Sequence, residues 1–272
     1  STRFSATHID GKDVAETSKL KRLAFALNTT QKLSDKLTVN ASVKFSVIDE
    51  TANPIVSTEP ASITGSLRRL APNINVNDFI GDFGNGTTDG INELQISNNI
   101  FRTNPWFALY RNPTSTEKER LLAAVSAKYD ITKYLYIRGQ AGFDKATNHY
   151  NNHRVNAANL NWPGILFYSP GQLMQQTQTI DQYDADVFIG TDNVNITKDF
   201  AVNGFVGAGT FSVKGEATGV LGDRVVIPGL NTVLNTASQA GLYEFQERKI
   251  NAVYGSAEFS FADKIFLTTT LR

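Results

Sequence analysis

The sequence predicts an all-β fold, part of a large antiparallel transmembrane β-barrel, on three observations. Apolar and polar residues alternate with a period of two over runs of roughly ten residues. The runs come in pairs joined by short polar turns, while long links separate one pair from the next. Aromatic residues gather beside the short turns. Strands that cross a bilayer at a tilt need about ten residues, of which only every second one must be apolar. Soluble sheets use strands of about five or six.

The clearest run is 37–47. Leu37, Val39, Ala41, Val43, Phe45 and Val47 alternate with Thr38, Asn40, Ser42, Lys44 and Ser46. Successive side chains of a strand point to opposite faces, so one face is apolar and the other polar. Leu23, Phe25 and Leu27 precede it, with a turn at Ser34, Asp35 and Lys36. A second pair places Leu121, Ala123, Val125, Ala127 and Tyr129 on one face and turns at 130–133. It returns through Leu135, Ile137, Gly139, Ala141 and Phe143. The third pair covers about 182–196 and 200–210, and the fourth about 249–261 and 265–272. That makes about eight strands, with the residues before Leu23 read as a frayed start. The links at about 49–118, 145–181 and 211–248 are long outer loops, and the short turns are periplasmic. Tyr129, Tyr134, Phe200, Phe261 and Phe266 would form half of an aromatic girdle. A secreted β-sandwich explains the alternation but neither the strand length nor the asymmetric links.

Composition narrows the function classes. Lys and Arg total 26, as do Asp and Glu, so no net basic field draws in nucleic acid. There is no cysteine, hence neither a disulfide nor a thiolate metal site. No wholly apolar stretch is longer than 121–125, which falls far below the roughly 18 residues of a membrane helix. Ser1 follows no leader-like segment and 265–272 is strand-like to its last residue. The expectation is an internal section of a longer barrel.

Several stretches resemble the SusC/RagA group of TonB-linked outer-membrane transporters. Asn104, Pro105, Trp106, Phe107, Ala108, Leu109 and Tyr110 look like its Asn-Pro-aromatic stretch ahead of a strand. The run 120–130 with Ile131, Thr132, Lys133, Tyr134 and Leu135 is similar to one of its hairpins, and Gly142, Phe143 and Asp144 to the end of the returning strand. Val226, Ile227, Pro228, Gly229 and Leu230 resemble part of a later outer loop. Tyr254 and Gly255, then 262–267, and Leu271 with Arg272 resemble a final hairpin. The resemblance implies a 22-stranded, plugged barrel in the bacterial outer membrane. It also implies a TonB system that acts through parts not in this chain, a SusD-like surface lipoprotein as lid, and uptake of oligosaccharide or peptide. The alternative is a structural or adhesive outer-membrane barrel whose loops bind a partner without transport.

Residues 1–272 are expected to form part of one barrel domain embedded in outer-membrane lipid. Lys44, Lys128, Arg138, Asp144, Asp184, Asp186 and Glu258 stand at polar-face positions and would line the lumen. Trp106, Phe107, Tyr110, Trp162, Phe167 and Tyr168 in the loops are candidate ligand contacts, since aromatic rings stack on sugars or peptide side chains. The competing expectation is that they pack the loops. The stretch 81–90 has the Gly-punctuated, oxygen-rich look of a calcium loop but lacks the closing Glu, and reads better as turns. His149 and His153 would share a helix face for a metal, but Asn148, Tyr150, Asn151 and Asn152 around them argue for a loop, so no metal is expected. There is no Gly-x-Ser-x-Gly elbow, Walker loop or His-Glu-x-x-His, so neither an enzyme nor a cofactor is expected.

Overall fold

The computed structural model describes residues 1–54, 62–96, 103–154, 171–227, 229–262 and 264–272. Its strands are β1 (Thr2–Lys12), β2 (Lys19–Lys32), β3 (Leu37–Pro54), β4 (Pro113–Asp130), β5 (Leu135–Arg154), β6 (Gln172–Asn195), β7 (Phe200–Val225), β8 (Thr236–Phe261) and β9 (Ile265–Leu271). They form one nine-stranded sheet in which order in space follows order in sequence. Every neighbouring pair is antiparallel.

This differs from the expected eight strands at the start of the chain, where β1 pairs with β2 from Thr2 against Thr29 to Lys12 against Lys19. Its alternation is diluted by Thr7, His8 and Ile9. The partner strand supplies the order that its own periodicity does not advertise. The link 13–18 between β1 and β2 is a short connection on the outer side, closed by Ser18 N–H donating to Ala15 O at 2.9 Å.

Three inner turns share one chemistry. Leu33, Ile131 and Ile196 each donate a backbone N–H to the carbonyl four residues on, at Leu37, Leu135 and Phe200. The next residue in each is Ser34, Thr132 or Thr197, whose hydroxyl accepts from backbone N–H groups inside the turn. Such short side-chain caps replace ladder bonds where the chain reverses. Asp263 of the fourth turn lies outside the described residues.

The strands run well beyond the predicted loop bounds: β5 continues to Arg154, β6 begins at Gln172, and β7 and β8 are each 26 residues long. The added parts of β5 and β6 are mostly polar on both faces, and those of β7 and β8 place apolar residues such as Val220, Leu242 and Phe245 without a sustained alternation, so periodicity could not reveal them; the neighbouring ladders hold them. The link between β3 and β4 folds on itself as helices α1 (Ile63–Arg68) and α2 (Pro105–Arg111) and a 3-10 turn at Val76–Phe79.

Directly paired residues of an antiparallel sheet point to the same side, so the register assigns the faces. One row runs Phe25, Phe45, Leu121 and another Tyr129, Ile137, Ile189, Val206, Gly255 and Leu271. On this face large apolar side chains are open: Val43 is 44% exposed, Phe45 39%, Val187 50% and Val253 70%. A closed sandwich core would bury them. On β4 and β5 the band is about nine residues tall, which at roughly 3.3 Å per residue and 40° tilt gives about 23 Å, the height of a lipid-facing band. On β5 to β8 the row that begins Phe25, Phe45 and Leu121 continues as alternating charge, Lys145, Asp181, Lys214 and Glu247, above the apolar positions of those strands; in it Lys145 and Asp181 pair at 3.8 Å. Apolar below and charged above is the profile of a bilayer boundary. Among the described residues no helix is long and apolar enough to cross a membrane; the strands do so.

Candidate functional site: the polar wall and the outer loop

The opposite face of the same strands carries their charged side chains, with apolar and aromatic ones among them. One row reads Thr38, Lys128, Arg138, Phe188, Gly207 and Tyr254, and another Lys44, Leu122, Asp144, Gln182, Val213 and Arg248. Lys44, Lys128, Arg138, Asp144, Asp184, Asp186 and Glu258 all fall on this side by register. A hollow of about 880 Å³ opens here, lined by Arg3, Lys44, Arg138, Asp144 and Asp184 among others.

The charges divide into paired and open ones. Arg120 grips Asp144 through both carboxylate oxygens, Nε at 2.9 Å and Nη2 at 2.5 Å. Lys128 reaches Asp192 at 2.7 Å and Asp130 at 3.3 Å, and Lys118 meets Glu50 at 3.2 Å. The Tyr254 hydroxyl donates to Asp186 at 2.7 Å, and the Gln140 amide donates to the same carboxylate at 3.2 Å. Lys44, Arg138 and Asp184 make no ion pair with the described residues. Each ion pair keeps at least one partner more than a third exposed, so each contributes about 1 kcal/mol or less. Together they fix side-chain positions along a wet wall.

Beside them runs a row of inward rings. Tyr136 meets Phe188 edge-on at 6.3 Å, Phe188 meets Phe205 at 5.5 Å, and Phe205 meets Tyr254 edge-on at 6.0 Å. Lys128 lies over Tyr136 at 4.4 Å and Arg138 over Phe188 at 5.8 Å. The rings lie close to the wall because Gly207 has no side chain: a Cβ there would stand 2.7 Å from that of Phe188. Sequence reasoning missed Arg120, Asp192 and this ring row. Their even or odd positions within each strand carried the signal once the register is known.

The outer loop between β3 and β4 is built around Asn104, which is fully buried. Its side-chain amide donates to Phe79 O at 2.7 Å, Leu94 O at 3.0 Å and Gly86 O at 3.4 Å. Its side-chain oxygen accepts the Trp106 N–H at 3.0 Å and caps α2, with Pro105 in the first turn. Its backbone N–H donates to Glu93 Oε1 at 2.6 Å. Gly86 has φ +73°, and a Cβ there would land on the Phe107 backbone nitrogen. One polar residue thus ties three backbone segments to the start of a helix.

This packing corrects the reading of Phe107 as a ligand contact. It is 0% exposed, because the segment 79–94 wraps the helix face that carries it. Trp106 donates its indole N–H to Val76 O at 2.9 Å and stacks on Tyr110, whose hydroxyl donates to Glu16 in the link between β1 and β2. Those two rings fasten the loop to its neighbour. Trp162, Phe167 and Tyr168 lie outside the described residues.

Burial drives the Glu93 carboxyl up to about 7, against the opposing pull of the Asn104 N–H. The stretch 81–90 is a turn cluster with positive φ at Gly81, Gly84, Gly86 and Gly90. Asp89 there accepts from Ile91 and Asn92 N–H groups, which holds its carboxyl below its ordinary range. His149 sits in β5 rather than a loop, 3.0 Å from the Thr177 hydroxyl. Among the described residues no three His, Asp or Glu side chains gather as metal ligands.

No protein-family profile and no curated protein matches the chain. Solved structures do. The RagAB peptide transporter aligns over 99% of this chain and 30% of its own, at 15% identity and a TM-score of 0.65. The RagAB peptide importer in its open-open state aligns over 99% and 29%, at 15% identity and 0.67. BauA, the ferric preacinetobactin receptor of Acinetobacter baumannii, aligns over 98% and 35%, at 12% identity and 0.56. The chain spans about a third of the length of these proteins. Its strands, register and two-faced sheet give it the fold of their outer-membrane barrel wall.

Proposed function

We propose that residues 1–272 form part of one barrel domain of an energy-coupled outer-membrane importer, and that its cargo is peptide or oligosaccharide. One observation carries this reading: the same strands present an apolar band to lipid and a charged wall to water. The likeness in fold to a peptide importer and a ferric preacinetobactin receptor supports it. Lys44, Arg138 and Asp184 would meet cargo or a plug in the lumen, while Asp144, Lys128 and Asp186, already bonded to the wall, would hold its shape. Glu258 accepts from Thr268 across β9 at 3.4 Å and belongs with the latter. A TonB system would supply energy to a plug outside this chain. A SusD-like lipoprotein would lid the outer mouth. No covalent chemistry is required of these residues.

The test deletes the parent gene and supplies defined peptides or defined oligosaccharides as sole nutrient, with TonB present or absent. Loss of growth on one class, restored by the wild-type gene only when TonB is present, supports the reading. Unchanged growth on both, with loss of surface attachment, overturns it in favour of an adhesive barrel.

A further inference from the structure

We propose that Glu93 makes the described outer-loop segments 62–96 and 103–112 pH-responsive: with its carboxyl protonated they close around Asn104, and with it ionised they loosen from the start of α2. Glu93 is only 3% exposed, and among the described residues its one hydrogen bond is the acceptance by Oε1 of the Asn104 N–H at 2.6 Å. Its second oxygen, Oε2, is buried with no hydrogen-bond partner. A carboxylate in that setting gives up water for a single donor, a cost that protonation removes.

Among the described residues, the surroundings offer no countercharge. Thr87 bridges Glu93 across the turn, and Phe79, Gly86 and Leu94 present backbone carbonyls to Asn104 beside it. The helix side contributes Asn104 and the buried Thr103, Phe107 and Ala108. No charged side chain acts on Glu93 among the described residues: the influences on it are burial and the Asn104 N–H. Asp89, the nearest acid in sequence, turns its carboxylate to Ile91 and Asn92 instead.

The direction of the effect follows from linkage. The closed-state value is raised from 4.5 to about 7. The group therefore stabilises the closed loop fully below 4.5, and that contribution is lost as pH rises to about 7. Across this window the opening equilibrium should rise by about tenfold per pH unit, on the order of 100-fold in total, and level off above it. The loop also holds the link between β1 and β2 through Tyr110 and Glu16, so its closure bears on the outer mouth. This inference does not depend on what the barrel carries.

Hydrogen exchange of the Trp106 and Ala108 amides, corrected for the intrinsic pH dependence, tests it in the full-length protein in detergent between pH 5 and 8. The expected result is a rise in opening on the order of 100-fold for wild type and a flat profile for Glu93→Gln. Equal opening of wild type at pH 5 and 8, or the same pH slope in Glu93→Gln, overturns it. Should Glu93→Gln fail to fold, infrared spectroscopy of wild type decides: a buried protonated carboxyl band that titrates near 7 supports the inference, and no such band above pH 5 refutes it.

Discussion

Replacing Asn104 by Ala tests whether a single polar side chain organises the outer loop. The substitution removes the donors to Phe79 O and Leu94 O, at 2.7 and 3.0 Å. It also removes the oxygen that caps α2 through the Trp106 N–H. Each buried carbonyl left without a donor costs about 1–3 kcal/mol, and the lost cap about 1 kcal/mol. The total is about 3–7 kcal/mol, at least as large as the local stability of most surface loops. At about 1.4 kcal/mol per tenfold, protection of the Trp106 and Ala108 amides should fall by more than about 100-fold. The barrel wall shares none of these bonds, so heat-modifiable gel migration should be retained. Asn104→Asp keeps the cap oxygen but aims a carboxylate at the carbonyls and at Glu93, and should be no better than Ala. Protection within about threefold of wild type in Asn104→Ala would show that the loop is held by something other than this hub.

Val43→Arg, on the lipid side, should lower the stability of the refolded barrel in vesicles by about 2–4 kcal/mol, while Ser42→Arg on the lumen side should cost under about 1 kcal/mol; denaturant titration compares them. Arg120→Ala should cost no more than about 1 kcal/mol despite its two-pronged contact, because the side chain is 53% exposed. A loss of 3 kcal/mol or more, roughly, would mean that the wall is dry there. Gly204→Ala places a Cβ 2.7 Å from the Ser256 backbone oxygen, whereas Gly142→Ala meets the movable Asp184 carboxylate at 2.5 Å. The first should destabilise by about 1–3 kcal/mol and the second by less, and an inverted order in thermal gel-shift midpoints would contradict the assigned packing.

What the sequence revealed depends on where each residue stands relative to the bilayer. Within the apolar band, lipid on one side and water on the other enforce alternation, so residues such as Val39, Val43 and Phe45 were legible. Beyond the band both faces meet water. The polar stretch of β6 with Gln175, Gln176 and Gln178 has no reason to alternate, and its strand was unreadable without the partners Gly219, Val220 and Ala217. His149 was misplaced for the same cause. The lumen residues were readable by parity alone, since Lys44 to Asp186 inherit their side from apolar neighbours. Which acid meets which base was not, because Lys128 and Asp192 are joined only by the packing of three strands. Phe107 failed differently. An aromatic side chain in a loop has the same letter whether it greets a ligand or fills a core, and Phe107 is buried where the Gly86 backbone closes on α2, held there by Asn104.

The sheet also constrains its own surroundings. β1 and β9 stand at opposite ends of the strand order, and neither pairs with the other. In water an open edge is a route to aggregation. In hydrocarbon it is worse, since each backbone group without a partner costs several kcal/mol and only a closed ladder removes the penalty. Yet the apolar band on β1 and β9 is as open as on the central strands, with Phe4 66% and Leu267 65% exposed. Side chains suited to lipid on strands whose outer backbone edges are not suited to it are reconciled under the proposed reading, in which further strands pair with both edges and close the wall. The charged lumen face leads to the same requirement, because Lys44, Arg138 and Asp184 are compatible with a bilayer only when a closed barrel keeps water, a plug or cargo against them.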